Sequence, residues 1–150
     1  MVMELERLID LSVYHKLKNL LPVSVNVVDA WDDDSDINPP AVAINIAKNE
    51  RAWLELGSNS TKKIMVFTLE IYATTKTQRE NIASLIADGL EENIVVYDYN
   101  DGFPPSYSPL KIGAAIIVRP PNYSPMPIVS GLQPRTKWVG RVTFEIYYTT

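Results

Sequence analysis

The sequence lacks cysteine and contains a single histidine, and these two shortages exclude several kinds of chemistry. Without cysteine there are no disulfides, no thiolate zinc site and no cysteine nucleophile. His15 alone cannot form a histidine metal cluster, and it offers one imidazole for any Ser/His/Asp arrangement. Few common hydrolytic mechanisms are compatible with this composition.

Long apolar runs and targeting signals are also missing. The longest apolar stretch, residues 112–118, has seven residues, whereas a membrane-spanning helix needs roughly 20. The first ten residues contain acids where a signal peptide has a basic segment. We expect an untargeted, soluble chain with one domain over residues 1–150, large enough to fold on a hydrophobic core alone.

Glycine is scarce, and the six glycines are scattered. None forms a phosphate-binding loop or a dinucleotide-binding fingerprint, and no nucleophile elbow is present. Paired carboxylates such as Glu91 and Glu92 are typical of solvated helix ends. We therefore expect no enzymatic activity and no cofactor.

One acidic segment suggests calcium binding at first sight. It contains Asp32, Asp33, Asp34 and Asp36, three of them at alternating positions as in an EF-hand loop. However, Ile37 stands where the loop needs glycine, and Ala43 stands where it needs a bidentate glutamate. The pattern therefore predicts no metal site.

Charge is distributed unevenly along the chain. Residues 1–110 contain nine Lys and Arg against 17 Asp and Glu, whereas residues 111–150 contain five against one. The net charge of −4 argues against nonspecific nucleic-acid binding, which needs a basic surface. An acidic surface that meets a basic surface on another copy would favour a head-to-tail contact, which closes into a ring when the rotation permits. The alternative is chance scatter over a solvated surface.

Hydrophobic periodicity predicts two helices. Residues 3–21 carry apolar side chains at spacings of three and four, and Pro22 ends the pattern. The second helix is predicted to begin with Thr77 as N-cap and Glu80 completing a capping box. We expect His15 to be a partly exposed residue of the first helix.

Alternation of apolar and polar residues predicts the strands, most clearly at 64–73 and 136–148. Shorter strands are predicted at 23–29, 41–47 and 94–97. The similar segments 70–75 and 145–150 indicate two strands in similar sheet environments, possible neighbours.

Proline is concentrated late in the chain, since eight of the 11 prolines fall between Pro104 and Pro134. We therefore predict that this region is neither a helix nor a central sheet, with one buried strand at 112–118 between extended loops. The predicted fold class is α+β, with a mostly antiparallel β-sheet, two α-helices packed on one face and long proline-rich loops.

With catalysis not expected, acidic, aromatic and basic residues are candidates for interaction surfaces. Tryptophan, tyrosine and arginine are enriched at interface centres. The candidate interface residues are Asp32, Asp33, Asp34, Asp36, Tyr97, Tyr99, Phe103, Arg135, Lys137, Trp138 and Arg141. The alternative for Trp138 is that it is a core residue of the last strand.

Four segments carry a resemblance to a known family: Glu55 to Gly57, Phe67 to Ala73, Gln78 to Glu80, and Ile94 to Phe103. Together they resemble the tail-terminator proteins of tailed bacteriophages, which complete the tail and join it to the head. The resemblance covers roughly residues 53–103, with weaker support from 138–144.

This resemblance implies a homo-oligomeric, hexameric ring that caps the finished tail tube and docks onto the head connector or a head-completion protein. The expected location is the virion, at the neck or tail end, after synthesis in the host bacterial cytoplasm. DNA is expected only as a strand that passes through the lumen, and no membrane partner is expected. The alternative hypothesis is a small metal- or ligand-binding domain, or an enzyme, that uses the cluster from Asp32 to Asp36 or the loop from Tyr97 to Phe103.

The charge asymmetry gives a first testable prediction. Reversing the charges of Arg135 and Lys137 should impair ring closure, because the basic surface would then repel its acidic counterpart. Circular dichroism should show unchanged secondary structure, and mass photometry should show fewer rings. Unchanged assembly would remove the charge argument for these two residues.

Overall fold

The computed structural model describes residues 4–29, 40–53, 61–91, 93–125 and 138–149. Within these ranges two helices and six strands follow one another along the chain. They are α1 (Leu5–Leu20), β1 (Asn26–Asp29), β2 (Ala41–Trp53), β3 (Thr61–Ala73), α2 (Lys76–Gly89), β4 (Ile94–Asp98), β5 (Leu110–Pro125) and β6 (Trp138–Thr149). The predicted α+β fold class is confirmed.

The strands form one six-stranded sheet over the described ranges, in the order β1-β2-β3-β6-β5-β4. Strands β1 and β2 are parallel, and the other neighbouring pairs are antiparallel. The two strands with similar sequences, β3 and β6, are direct neighbours whose pairing runs from Lys62 opposite Thr149 to Ala73 opposite Trp138. Their likeness therefore reflects a shared place at the centre of the sheet.

The core lies on one face of this sheet. In β3 every second residue from Met65 to Ala73 is fully buried, as the alternation predicted. Phe67 and Phe144 are opposite each other in the β3–β6 register, and their rings stack with centroids 5.3 Å apart. Burying two phenylalanines at the sheet centre gives the helices an apolar surface to cover.

Both helices pack against this core face. In α1 Ile9, Val13 and Leu17 are fully buried at spacings of four, so one helix stripe faces the sheet. At the edge of the same contact Glu6 of α1 forms an ion pair with Lys63, which is itself 3% exposed. The predicted packing of two helices on one sheet face is confirmed.

The start of α2 differs from the prediction. The N-cap is Thr75, whose hydroxyl accepts a hydrogen bond from the Gln78 N–H at 3.1 Å, and the Gln78 side chain accepts one from the Thr74 N–H at 2.9 Å. Thr77 is therefore within the helix, and the prediction was wrong by two residues. The sequence contains two overlapping capping patterns, and Glu80 of the second pairs instead with Arg79 at 3.0 Å.

Gly89 is the last residue of α2 and lies against the first helix. A Cβ at this position would overlap the Leu20 side chain near the end of α1. The glycine therefore lets the two helix ends approach closely over the sheet. This close packing explains why a residue of weak helix propensity stands at this position.

The proline-rich region also differs from the prediction. Strand β5 is not confined to 112–118 but runs from Leu110 to Pro125 and includes Pro120 and Pro121. Its first part, up to Ala115, pairs with β4, and the part from Ile116 pairs with β6. Within the described chain each part thus has a neighbouring strand on one side only. Residues whose N–H would point to the open side need no hydrogen-bond partner there, so proline is tolerated at such positions.

The side chains of β5 are not buried as predicted. Ala115 is fully buried, whereas Ile112, Ile116 and Val118 are 43%, 38% and 47% exposed. The run is apolar on both faces, so its periodicity could not tell which face meets the core. Gly113 and Ala115 face inward together with Ile117, which packs against the core, whereas Ile112, Ile116 and Val118 are exposed.

The first strand is shorter than the predicted 23–29. A turn precedes it, in which the Val25 N–H donates to the Pro22 carbonyl at 2.9 Å, and β1 begins at Asn26. Val23 is consequently fully exposed, although its alternation with Val25 and Val27 was consistent with a buried strand face.

The Phe67–Phe144 stack gives a stability prediction. Phe144→Ala should lower the free energy of unfolding by about 3–5 kcal/mol, because it removes a buried ring and leaves a cavity. Its neighbour Thr143 lies on the opposite face and is half-buried, so Thr143→Ala is the matched control and should cost about 1 kcal/mol or less. Urea unfolding followed by circular dichroism measures both, and equal losses would contradict the assigned core face.

Candidate functional site

The sheet face opposite the helices bears an apolar band. The strand register places Val95 opposite Ala114, and Tyr147 opposite both Ile116 and Ile64, on this outer face. Two exposed residues of β5, Ile112 and Val118, adjoin them. We call this set the apolar band: Ile64, Val95, Ile112, Ala114, Ile116, Val118 and Tyr147. No helix of the described ranges packs over its β5 residues on this outer side, whereas Val95, at the β4 edge, lies near α1. Ile112, Ile116 and Val118 are exposed, and the other four residues of the band are half-buried. Exposed apolar patches mark interaction sites on proteins.

Basic residues border the apolar band. Strand β5 contains Lys111 and Arg119 and no acidic residue. The Arg119 guanidinium lies 3.4 Å from the Glu145 carboxylate, yet the arginine side chain is 80% exposed. A partner that covers the band would therefore bring apolar contacts together with acidic groups.

The other half of the outer face is polar. Glu70 accepts a hydrogen bond from the Tyr72 hydroxyl at 2.6 Å, and its other oxygen lies 3.4 Å from the Arg141 guanidinium. Burial, with the hydrogen bond to Glu70 as a second cause, raises the pKa of Tyr72 to about 12. Arg141, a candidate interface residue, is thus exposed and belongs to a surface ion pair on β6.

A second candidate site is an aromatic groove between α1, β4 and the segment that follows β4. It has a volume of about 430 Å³, within the size range of ligand pockets. Its lining residues are Ser12, His15, Lys16, Asn19, Val95, Tyr97, Tyr99, Pro104, Pro105, Tyr107, Ser108 and Pro109. We call this surface the aromatic groove; none of its lining residues is acidic.

Helix α1 borders the aromatic groove because it lies along the free edge of β4. The Ser12 hydroxyl accepts a hydrogen bond from the Tyr97 N–H at 3.1 Å and donates to the Leu8 carbonyl at 2.7 Å. Tyr97 pairs with Lys111 of β5, and the Ser12 side chain satisfies its N–H at the edge of β4 that has no neighbouring strand in the described ranges. Because the hydroxyl makes both contacts to the backbone, it is not placed as a nucleophile.

An aromatic stack contributes to the groove wall. The His15 ring stacks on Tyr99 with centroids 5.0 Å apart, and Tyr99 stacks on Phe103 at 5.6 Å. Burial, and secondarily the Lys18 charge, lowers the pKa of His15, so the ring is neutral at pH 7. Burial also raises the pKa of Tyr99. Among the described lining residues the groove therefore offers neutral hydrogen-bonding groups, ring faces and one cation, Lys16.

Trp138 takes part in a cluster between α2 and β6. The Arg79 side chain is 5% exposed, and its guanidinium lies 5.4 Å from the centre of the Trp138 ring. It also donates to the Val139 carbonyl at 3.3 Å and pairs with Glu80 at 3.0 Å. Trp138 is half-buried in this contact, so part of its ring serves the packing of α2 on the sheet.

The candidate interface residues therefore separate into groups. Tyr97, Tyr99 and Phe103 come together at the aromatic groove, with Tyr99 only 2% exposed and Phe103 41% exposed. Trp138 and Arg141 lie instead on β6, away from the groove. Six candidates lie outside the described residues: Asp32, Asp33, Asp34, Asp36, Arg135 and Lys137.

Two features of the site were not predicted from sequence. The run 112–118 is apolar on both faces, so its pattern does not predict an exposed band, and the contact of His15 with Tyr99 joins residues 84 positions apart. The described ranges contain no group of three or more potential metal-ligating side chains. No described helix is long and apolar enough to cross a membrane.

Comparisons of the chain with protein-family models and with curated proteins gave no match. The function is therefore argued from the two surfaces described above.

The only histidine of the sequence permits a direct test of the groove. The imidazole proton signals of His15 should titrate below pH 6.5 in NMR, and Phe103→Ala should move the pKa back towards 6.5 by exposing the ring to water. Because the folded state disfavours the charged ring, stability should be complete above pH 6.5 and should fall as the pH drops through the lowered pKa.

Lys76→Gln, a substitution on the first turn of α2, is the control and should leave the titration unchanged. A His15 pKa at or above 6.5 in the unsubstituted protein would contradict the described stack.

Proposed function

We propose that this chain is a structural virion protein that forms a homo-oligomeric, hexameric ring at the neck of a tailed bacteriophage. In this proposal the ring terminates the tail tube and joins it to the head connector or a head-completion protein, and the protein catalyses no reaction. The observation that carries the proposal is the apolar band, whose residues Ile112, Ile116 and Val118 are exposed in the described part of a single copy. Exposed apolar area of this kind is stabilised when another protein surface covers it.

The charge of the chain supports passage of DNA through the proposed ring. With a net charge of −4, a lumen surface would not hold phosphates by counterion release. DNA would then slide through the ring during packaging and ejection. This property is useful in a neck component, which must let the genome pass.

The resemblance of residues 53–103 to tail-terminator proteins supports the same function. The tail tube and the head connector would then be the two neighbouring partners, each bound by one end of the ring. A ring has two ends and an outer wall, so a single small domain must use several surfaces. The apolar band and the aromatic groove are two such surfaces on this chain.

The aromatic groove supports a second candidate function, binding of a small ligand. Its volume of about 430 Å³ and its ring stack suit a flat or extended molecule, held by stacking and hydrogen bonds. A ligand would shift the NMR signals of His15, which reports directly on the groove. A ligand-binding monomer would favour this function over the ring.

Mass photometry and negative-stain electron microscopy test the proposed ring. We expect closed rings at micromolar concentration in low salt, and fewer rings as the ionic strength rises, because charge pairs at the rim are screened. Unfolding by heat should occur at a higher temperature as the protein concentration increases.

A protein that stays monomeric at every concentration and salt tested would contradict the proposal. Circular dichroism of the same sample would show whether the chain was folded.

A further inference from the structure

We propose, on the basis of the proposed ring, that its subunit contact is made by the apolar band of one copy against the exposed side of α2 of the next copy. On α2 the residues Asn81, Ser84, Leu85 and Asp88 are all exposed. Their spacing of three, four and seven residues places them on one side of the helix. We call this side the outer α2 face.

Leu85 makes the outer α2 face suitable for the band. Seven large apolar side chains are prominently exposed in the described ranges, and four of them lie on β5. Leu85, 38% exposed, is the one that α2 contributes. Small and polar neighbours such as Ser84 let a helix lie close to a flat sheet surface, so Leu85 can contact Ile116 and Val118 of the other copy.

The two surfaces lie on opposite sides of the sheet in one copy. Helix α2 packs on β3, β5 and β6 from the core side, and the apolar band occupies the outer side of the same strands. A contact between them therefore joins unlike surfaces, with each copy using its band towards one neighbour and its helix towards the other. Such a heterologous contact repeats around an axis and closes into a ring when the rotation permits.

Charge complementarity favours this pairing. The apolar band is bordered by Lys111 and Arg119, of which Arg119 pairs with Glu145 of β6, so the border keeps a net positive charge. The last turn of α2 carries the exposed Asp88, and the exposed Glu91 follows the helix. The negative end of the helix dipole adds to the acidic side. Two bands that faced each other would instead bring two borders of net positive charge together, with Glu145 in each copy offsetting one of the two basic residues, and this arrangement costs free energy.

Charge reversal on each surface tests the contact. The sheet variant is Lys111→Glu with Arg119→Glu, and the helix variant is Asp88→Lys with Glu91→Lys. Each alone should raise the protein concentration needed for assembly about tenfold or more, because like charges then meet at the contact. An equimolar mixture should assemble again, with the two variants alternating, because every contact is then complementary.

The matched control reverses two exposed charges at the ends of α1, Glu4→Lys at the N-cap and Lys18→Glu in the last turn, and should assemble like the unsubstituted protein. Rings of the unsubstituted protein with unimpaired assembly of the helix variant would overturn this contact and leave the ring itself standing. A monomeric unsubstituted protein would overturn both proposals. Thermal melts identify any variant that has lost its fold.

Cross-linking provides a measurement that does not depend on charge variants. Because the chain has no cysteine, Leu85→Cys combined with Ile116→Cys introduces the only two thiols. A short bismaleimide should link them into a ladder of covalent multimers, whereas either substitution alone should give no ladder. Dimers from Ile116→Cys alone would indicate that two bands face each other and would overturn the proposed contact. The contact would also be overturned if the double variant formed rings but gave no ladder. Val23→Cys with Ile116→Cys is the control for nonspecific cross-linking, because Val23 is exposed but lies outside the proposed contact.

Discussion

The long antiparallel pair of β3 and β6 holds the other elements in place. Its paired residues run from Lys62 to Ala73 on one strand, and its core side carries the stacked rings of Phe67 and Phe144. Both helices cover this side, β2 extends the sheet from β3, and β5 extends it from β6. The apolar band and the aromatic groove are both built on strands reached through β6, so their geometry depends on this central register.

Strand β5 connects the central sheet to β4 by changing its partner partway along. Residues up to Ala115 pair with β4, and residues from Ile116 pair with β6, with irregular register near Arg119. The prolines lie in the second part, which in the described chain has a strand on one side only. Proline cannot donate to a ladder, so these residues also protect the open edge from pairing with another chain.

The helix layer covers one face of the sheet, so the two faces of the sheet have different surroundings. On β5 Ala115 and Ile117 lie on the core side, whereas Ile112, Ile116 and Val118 are exposed. A sheet with helices on one face is stable as a single copy when the other face is polar enough for water. Here the half near Glu70 and Arg141 meets that condition, while the half around Ile116 is better stabilised by contact with another protein surface.

The amino-acid sequence by itself determined the two helices, the long strands β3 and β6 and the α+β class, because regular alternation and periodicity report which side of each element meets the core. It left the N-cap of α2 ambiguous between Thr75 and Thr77, because the capping-box pattern fits both residues and only the packed structure determines where the helix begins. Only the tertiary structure decided that residues 112–118 expose their large side chains, since a run that is apolar on both faces has no alternation to read. It alone also brought His15 onto Tyr99, because the neighbours of a surface groove are set by how α1 lies along β4 and not by any local signal in the chain.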